Sequence, residues 1–319
     1  MGMGMARVFV TGANGFVGRA LVASLMQHDA DVVASVRHND MHLYNGIKQV
    51  IHTVDSRTAW KVDLANIDVV IHLAARVHVM DDSELNPLAC FREINTSGTL
   101  NLAGQASDAG VKRFIFISSI KVNGEITSLG NSFSPDDNFI PTDPYGLSKY
   151  EAEQQLLKLA KETGMEIVII RPPLVYGFGV KGNFASLLKW MQRDVPLPFG
   201  AIHNQRSLVA LENLVSFIIC CIDNPKAANE IFLISDCEDV STTVLLQKVA
   251  TAFGKKALLL PVPVSLMTLA AKLLGKGDVA TRLFSSLQVD SSRARDLLGW
   301  KPVITMDEQL KKIADAYLK

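Results

Sequence analysis

A glycine-rich turn near the N-terminus most narrows what this chain can fold into. The apolar run Val8–Thr11 predicts a strand, and three glycines spaced GxxGxxG follow it before a predicted helix. Gly12 suits a tight turn, Gly15 lets the backbone approach a pyrophosphate, and Gly18 lets the helix pack closely on the strand. The helix N-terminus would offer free N–H groups to the phosphates. Three glycines also suit a plain turn, but their place directly after the first strand favours a dinucleotide site.

Strands and helices alternate through the first half of the chain. This alternation predicts an α/β fold with a doubly wound parallel sheet (Rossmann), in which ligands bind at the carboxyl ends of the strands. After Pro173 the rhythm is lost, so we expect a dinucleotide-binding domain over residues 1–173. Residues 174–319 would form a smaller C-terminal substrate lobe, with some segments returning to the core. The predicted strands are Val8–Thr11, Asp31–Val36, Gln49–Val54, Val69–Leu73, Arg113–Ser118 and Glu166–Arg171, and the predicted helices are Ala20–His28, Phe91–Ala109 and Tyr150–Thr163.

Tyr145 and Lys149 stand four residues apart at the start of a predicted helix, just after Pro144. Residues at this spacing share one face of a helix, so the ammonium would lie beside the phenol. A free tyrosine ionises near pH ~10, and a neighbouring positive charge lowers that pKa toward the range of general acid–base catalysis. A tyrosine and a lysine at this spacing are common by chance. The glycine turn in the same chain is what makes a catalytic role for the pair a reasonable prediction.

Together these features resemble the short-chain dehydrogenase/reductase superfamily, in its extended branch of nucleotide-sugar epimerases, reductases and dehydratases. The resemblance implies that Ser119, Tyr145 and Lys149 are catalytic, with Ser119 hydrogen-bonding the reacting sugar oxygen. The blocks that carry it are Thr11–Gly18, Val70–Ala75, Asn95–Thr99, Phe116–Ser119, Tyr145 with Lys149, Arg171–Pro173, and Val289–Arg293 with Leu298–Trp300. The cofactor positions it implies are Gly12, Asn14, Gly15, Phe16, Val17, Gly18, Arg37, Asp55, Leu73, Ala74, Ala75, Tyr145, Lys149 and Pro172.

Arg37 bears on the choice between NAD and NADP. An NAD site uses an acidic residue about twenty positions past the glycines to accept the ribose 2′-hydroxyl. The second predicted strand has no carboxylate at its tip and is followed by Arg37. An arginine there can hold the 2′-phosphate of NADP through charge-assisted hydrogen bonds, although it can equally be a solvated residue at a strand end. The sequence therefore favours NADP over NAD, and Asp55 matches the adenine-binding aspartate of the family.

Differences from known relatives narrow the reaction. Nucleotide-sugar 4,6-dehydratases carry an Asp–Glu pair directly after the residue that matches Ser119, whereas this chain has Ile120 and Lys121. Asn183 and Arg206 match positions that contact the nucleotide sugar in related enzymes. Three departures weaken the hexose 4-epimerase interpretation: Leu174 replaces an asparagine, Asn123 replaces a tyrosine, and an Arg-x-Gly-Asp segment near the C-terminus gives way to an apolar, helix-like stretch at Leu258–Leu283.

The leading hypothesis is an NADPH-dependent reductase of a UDP-4-keto-6-deoxy-N-acetylhexosamine, resembling the reductases that form N-acetylquinovosamine nucleotides. The alternative is a UDP-hexose or UDP-N-acetylhexosamine 4-epimerase, in which the same triad removes and returns hydride at C4. A reductase of a flavonoid or steroid ketone also fits Arg37 and an apolar pocket. A dinucleotide-binding sensor or scaffold without turnover is the alternative from another class, and the complete set of Ser119, Tyr145 and Lys149 argues against it.

Composition excludes several other classes. The 319 residues carry 32 basic and 32 acidic side chains, so the basic surface that nucleic acid binding needs is not expected. Four cysteines show neither metal-ligand nor disulfide spacing, and His72 and His78 receive no catalytic or metal role. The apolar run between Lys256 and Lys272 is broken by two prolines and is too short to cross a bilayer. We expect a cytoplasmic protein, and its long outer helices allow a homodimer.

Overall fold

The computed structural model describes residues 6–40, 46–77, 86–128, 130–192 and 195–318. Within these ranges the strands are β1 (Arg7–Thr11), β2 (Asp31–Val36), β3 (Lys48–Ile51), β4 (Val69–His72), β5 (Arg113–Ile117), β6 (Glu166–Arg171), β7 (Leu174–Tyr176), β8 (Leu208–Ala210) and β9 (Ile231–Leu233). The α-helices are α1 (Phe16–Gln27), α2 (Pro87–Phe91), α3 (Thr99–Asp108), α4 (Pro144–Thr163), α5 (Asn183–Gln192), α6 (Leu211–Asp223), α7 (Thr242–Ala252), α8 (Val264–Leu273), α9 (Gly277–Phe284), α10 (Ser292–Leu298) and α11 (Met306–Leu318).

Seven of these strands form one parallel sheet in the order β3-β2-β1-β4-β5-β6-β9. The chain winds outward from β1 to β3 on one side and from β4 to β9 on the other. The strand order therefore reverses between β1 and β4, and such a switch point opens a crevice at the carboxyl ends of the strands. The predicted α/β fold with a doubly wound parallel sheet is confirmed.

The sheet is buried on both faces, which explains its nearly continuous apolar strands. Val8 and Val10 pack into one apolar cluster with side chains of α1 and α6. Phe9, which points to the opposite face, packs into a second cluster with side chains of α3 and α4. Helices thus cover both faces and leave the strand ends as the open edge.

Chain beyond residue 173 builds a third apolar cluster and also returns to the sheet. Side chains of α5, α7 and α11 pack around Tyr176 in this cluster. The short strands β7 and β8 pair in parallel beside the main sheet, while β9 adds to its edge next to β6. The boundary at residue 173 and the homodimer remain predictions.

Several element boundaries differ from the prediction. The strand predicted at Gln49–Val54 ends at Ile51, and the helix predicted at Phe91–Ala109 is divided into α2, a π-helical turn at Arg92–Gly98, and α3. The stretch Leu258–Leu283 is not one helix, because Pro261 and Pro263 keep the chain extended before α8 and Gly275 separates α8 from α9. No helix in the described ranges is long and apolar enough to cross a membrane.

Candidate active site

The glycine turn after β1 is built from main chain in close contact. Gly12 has a positive φ of 66°, and a side-chain carbon there would lie 2.9 Å from the Ala74 nitrogen. A side-chain carbon on Gly18 would lie 2.2 Å from the Gly12 oxygen, so α1 packs directly on the turn. The N-terminus of α1 has no side-chain cap and no acidic residue in its first turn. Its N–H groups are therefore available to a phosphate, and the turn fits the pyrophosphate of a dinucleotide.

His72 locks the ends of β1 and β4 together beneath this turn. Hydrogen bonds join its Nδ1 to the Thr11 hydroxyl at 2.7 Å and its Nε2 to the Thr99 hydroxyl at 2.9 Å. Burial lowers its pKa to about 3, so the ring is neutral at physiological pH. The prediction that His72 has no catalytic role is consistent with these contacts, and His78 lies outside the described residues.

The cofactor positions predicted beyond the turn follow the carboxyl ends of neighbouring strands. Leu73, Ala74 and Ala75 come directly after β4, and the Ala74 nitrogen donates to the Thr11 hydroxyl at 3.2 Å. Pro172 follows β6, and its carbonyl accepts a hydrogen bond from the Ile120 nitrogen at 3.0 Å. Asn14, Phe16 and Val17 lie in the glycine turn and the start of α1. These positions therefore lie at the same edge of the sheet, and their contact with a dinucleotide remains a prediction.

Tyr145 and Lys149 occupy the first turns of α4, as predicted. The helix begins at Pro144, and the Asp143 carboxylate before it accepts a hydrogen bond from the Gly146 nitrogen at 3.1 Å. A hydrogen bond joins the side chains of Tyr145 and Ser119. The Lys149 ammonium donates to the Ile117 carbonyl at 3.0 Å. The structure therefore brings all three predicted catalytic residues to the end of β5.

The pKa of Tyr145 departs from the expectation. The ring keeps some exposed surface, but burial of its hydroxyl raises the pKa to about 12, and the hydrogen bond with Ser119 offsets part of that rise. Burial also lowers the pKa of Lys149 to about 7. The prediction of a lowered tyrosine pKa is wrong for this geometry, because desolvation of the phenol outweighs the hydrogen bond with Ser119, and the Asp143 charge adds to the rise.

A buried ion pair behind Lys149 was not anticipated. The Arg171 guanidinium binds Glu153, with Nη2 2.6 Å from Oε2, and both side chains are almost fully buried. Arg171 also donates from Nη1 to the Asn123 side-chain oxygen at 3.0 Å. Glu153 lies one helical turn after Lys149, and its charge opposes the fall of the lysine pKa. The four-residue spacing between Lys149 and Glu153 could have predicted that the two side chains lie on one face of α4. No sequence pattern indicated that Glu153 pairs with Arg171 on β6.

Asn95, in the π-helical turn, also supports the catalytic helix. Its side-chain nitrogen donates to the Ser148 hydroxyl at 3.1 Å and to the Arg76 carbonyl at 3.0 Å. Its side-chain oxygen accepts from the Arg76 nitrogen at 2.8 Å. These bonds fix α4 against the segment that follows β4, between the triad and the predicted cofactor positions.

Basic and acidic side chains both lie near the position predicted for the adenosine of the cofactor. Arg37 is exposed directly after β2. Arg19, on α1, pairs with Asp40 and donates from Nε to the Asn14 carbonyl at 3.1 Å. A carboxylate therefore does lie near the glycine turn, four residues past the end of β2. Asp55, also predicted here, accepts hydrogen bonds from the Arg57 and Thr58 nitrogens, both at 2.9 Å, and these contacts lower its pKa.

The two predicted substrate residues are less fully described. Asn183 begins α5, and its side chain is not among those described. Arg206 is partly buried, which lowers its pKa, and its Nη1 donates to the Arg282 and Ser285 carbonyls at 2.8 and 3.0 Å. Arg206 thereby holds the C-terminal end of α9. In the described ranges no cluster of histidine, cysteine or acidic side chains could hold a metal ion.

Several known proteins are similar to this chain in sequence or in fold. Residues 8–235 match the model of the NAD dependent epimerase/dehydratase family. The chain is 51% identical to a UDP-glucose 4-epimerase of Vibrio cholerae over 98% of its own length and 95% of that protein. It is 31% identical to an N-acetyl-α-D-glucosaminyl-diphospho-ditrans,octacis-undecaprenol 4-epimerase of Escherichia coli O157:H7, over 82% of this chain and 77% of that one. The crystal structure of a Bacillus cereus UDP-glucuronic acid 4-epimerase with NAD shares the fold, with a TM-score of 0.78, 23% identity and 97% coverage of each chain.

Proposed function

Because the chain belongs to the NAD dependent epimerase/dehydratase family, within the extended short-chain dehydrogenase/reductases, we propose that it is a UDP-hexose 4-epimerase. The observation that carries this proposal is the 51% identity to the Vibrio cholerae UDP-glucose 4-epimerase over 98% of the chain. Of the two reactions expected from the sequence, these findings favour the epimerase, which was the alternative, over the leading reductase hypothesis.

The arrangement of Ser119, Tyr145 and Lys149 suits proton transfer at a sugar hydroxyl. Bound dinucleotide would rest on the glycine turn and supply reversible acceptance of a hydride from C4. Tyr145, as phenolate, would take the proton of the C4 hydroxyl while Ser119 hydrogen-bonds the same oxygen. Lys149, when protonated, would stabilise the phenolate from one helical turn away. After the ketosugar turns over, the hydride would return to the opposite face of C4 while Tyr145 gives its proton back to the oxygen, which leaves the C4 hydroxyl with inverted configuration.

Two of the three departures noted in the sequence are single residues, and they have different structural settings. Asn123 is buried and its side chain is bonded to Arg171, so it serves the network behind α4. Leu174 is 40% exposed at the start of β7. Neither setting involves the triad, and we assign the Leu174 difference to recognition of the sugar.

Purified protein given UDP-glucose should form UDP-galactose without added cofactor, because an epimerase regenerates its bound dinucleotide in every cycle. Product sugars separated by chromatography give the measurement, and UDP-N-acetylglucosamine tests the N-acetyl series. Absence of both conversions, with NADPH consumed when a UDP-4-keto-6-deoxy-N-acetylhexosamine is supplied, would replace the epimerase by the reductase. Arg37 is the observation that favours this second candidate.

The Arg37→Ala substitution tests the cofactor directly. If Arg37 holds a 2′-phosphate, the variant should bind NADP(H) roughly ten- to hundredfold more weakly and NAD(H) about equally well, because one charge-assisted contact is lost. Fluorescence titration of both cofactors against both proteins gives the affinities. Tighter binding of NAD(H) by the unmutated protein, or equal loss for both cofactors, would assign the site to NAD, with Asp40 as the nearby carboxylate.

A further inference from the structure

An exposed apolar surface lies on the C-terminal lobe. We call it the leucine surface. Leu273 is 80% exposed and Leu274 is 74% exposed, values unusual for such large apolar side chains. The remaining members are each more than half exposed, and the surface comprises Leu258, Leu260, Leu266, Leu269, Leu273 and Leu274.

The backbone turns these leucines outward in two successive elements. The extended segment before α8 bridges to Leu197, and Leu258 and Leu260 lie two residues apart on one side of it. In α8, Leu266, Leu269 and Leu273 follow at spacings of three and four, which places them on one face. Met267 on the opposite face is buried. The outer face of α8 is therefore at least as apolar as the face that packs on the protein, the reverse of an ordinary surface helix.

Exposed basic residues lie in the same stretch of chain as the leucine surface. Residues 255–282 contain four lysines and one arginine against one aspartate, although the whole chain has no net charge. Lys256, Lys272, Lys276 and Arg282 are exposed, and Lys272 directly precedes Leu273. An apolar face bordered by exposed lysines is the composition of segments that lie in the headgroup region of anionic membranes.

The same lobe carries three aromatic side chains that pack in a row. Trp190 at the end of α5 is 39% exposed and packs against Phe199, whose ring also packs against Phe284 in α9. Partly exposed tryptophan is favoured at membrane interfaces, because its ring has an apolar body and a polar N–H. The Arg206 side chain also fixes the C-terminal end of α9.

We propose that the leucine surface docks the protein on an anionic phospholipid bilayer. A second copy of the chain would be a poorer occupant, because a twofold interface brings the same patch of each subunit together and would place these lysines against one another. A bilayer carrying anionic lipids instead accepts both the leucines and the lysines. This inference is independent of the reaction proposed above.

Sedimentation with lipid vesicles tests the proposal. The full-length protein should pellet with vesicles of phosphatidylcholine and phosphatidylglycerol, much less with phosphatidylcholine alone, and less as salt is raised. The double variant Leu273→Ser/Leu274→Ser should lower the partition coefficient by about tenfold or more, because two side chains no longer enter the lipid. Lys272→Glu/Lys276→Glu should lower it by about as much, because each basic residue contributes attraction to the anionic surface.

Val303→Ser is the matched control, since Val303 is 62% exposed outside the leucine surface and its loss should leave vesicle binding unchanged. All variants should keep the melting temperature and the turnover of soluble UDP-sugar, which separates this proposal from the epimerase assignment. Failure of the unmutated protein to pellet with anionic vesicles would overturn the proposal, as would equal pelleting of the leucine variant. Concentration-dependent dimers that the same leucine substitutions abolish, without vesicle binding, would identify the surface as a contact between copies.

Discussion

Tyr145→Phe should lower kcat for C4 epimerisation by about 10²- to 10⁴-fold, the usual contribution of a positioned general acid–base group. The substitution removes one oxygen and leaves the ring, which packs edge-on against Phe91 with centroids 6.0 Å apart. Binding of dinucleotide and UDP-sugar should therefore change little. Initial rates of UDP-glucose conversion and titrations of cofactor binding give the two quantities.

Tyr150→Phe is the matched control, because Tyr150 lies on the same helix, five residues further along, and is partly buried. It should keep nearly full activity. Retention of activity in Tyr145→Phe, or an equal loss in both variants, would remove Tyr145 from the proton transfer. A complete loss of cofactor binding in Tyr145→Phe would assign its role to binding.

Arg171→Leu should destabilise the protein by about 3–5 kcal/mol, because it leaves the Glu153 carboxylate buried without its partner. Arg171 also binds the Asn123 side chain at 3.0 Å, so the substitution breaks a second buried hydrogen bond. The free energy of unfolding from urea titration measures the loss. Lys158→Ala should cost about 1 kcal/mol or less, since the Lys158–Glu162 pair on the same helix is exposed.

The double variant Glu153→Leu/Arg171→Leu should recover much of this loss, because replacing both partners by apolar side chains leaves no buried charge unpaired. Its activity gives a second readout. Glu153 raises the pKa of Lys149, so its removal should move the limb of the pH–kcat profile that reports Lys149 toward lower pH. An unmoved limb would mean that Glu153 serves stability alone, and a double variant as unstable as Arg171→Leu would contradict the ion-pair explanation.

The strands of the first half were predictable because a strand buried on both faces needs an apolar run, as in Glu166–Arg171. The positions of Tyr145 and Lys149 were predictable because their spacing is local to one helix. The contact of Glu153 with Arg171 was not, since it joins a helix to a strand 18 residues away and no local pattern records it. The exposure of the leucines on α8 was also not predictable, because the sequence of an apolar helix does not show which of its faces the rest of the protein covers.

The reaction itself was the least predictable part. A 4-epimerase and a 4-ketoreductase use the same serine, tyrosine and lysine, so these residues carry no information that separates the two. Arg37 pointed toward NADP because it follows β2 directly, whereas the sequence did not show that Asp40 lies against Arg19 beside the glycine turn. The path of residues 37–40 after β2 sets that contact.

The close contact between Gly12, Gly18 and Ala74 also has an evolutionary consequence. Side-chain carbons at either glycine would meet main-chain atoms, so neither position can vary without moving the backbone. Arg37 and Asp40 lie at the rim, outside this contact. If Arg37 or Asp40 selects the dinucleotide, this selection can change in evolution without any change at Gly12 or Gly18.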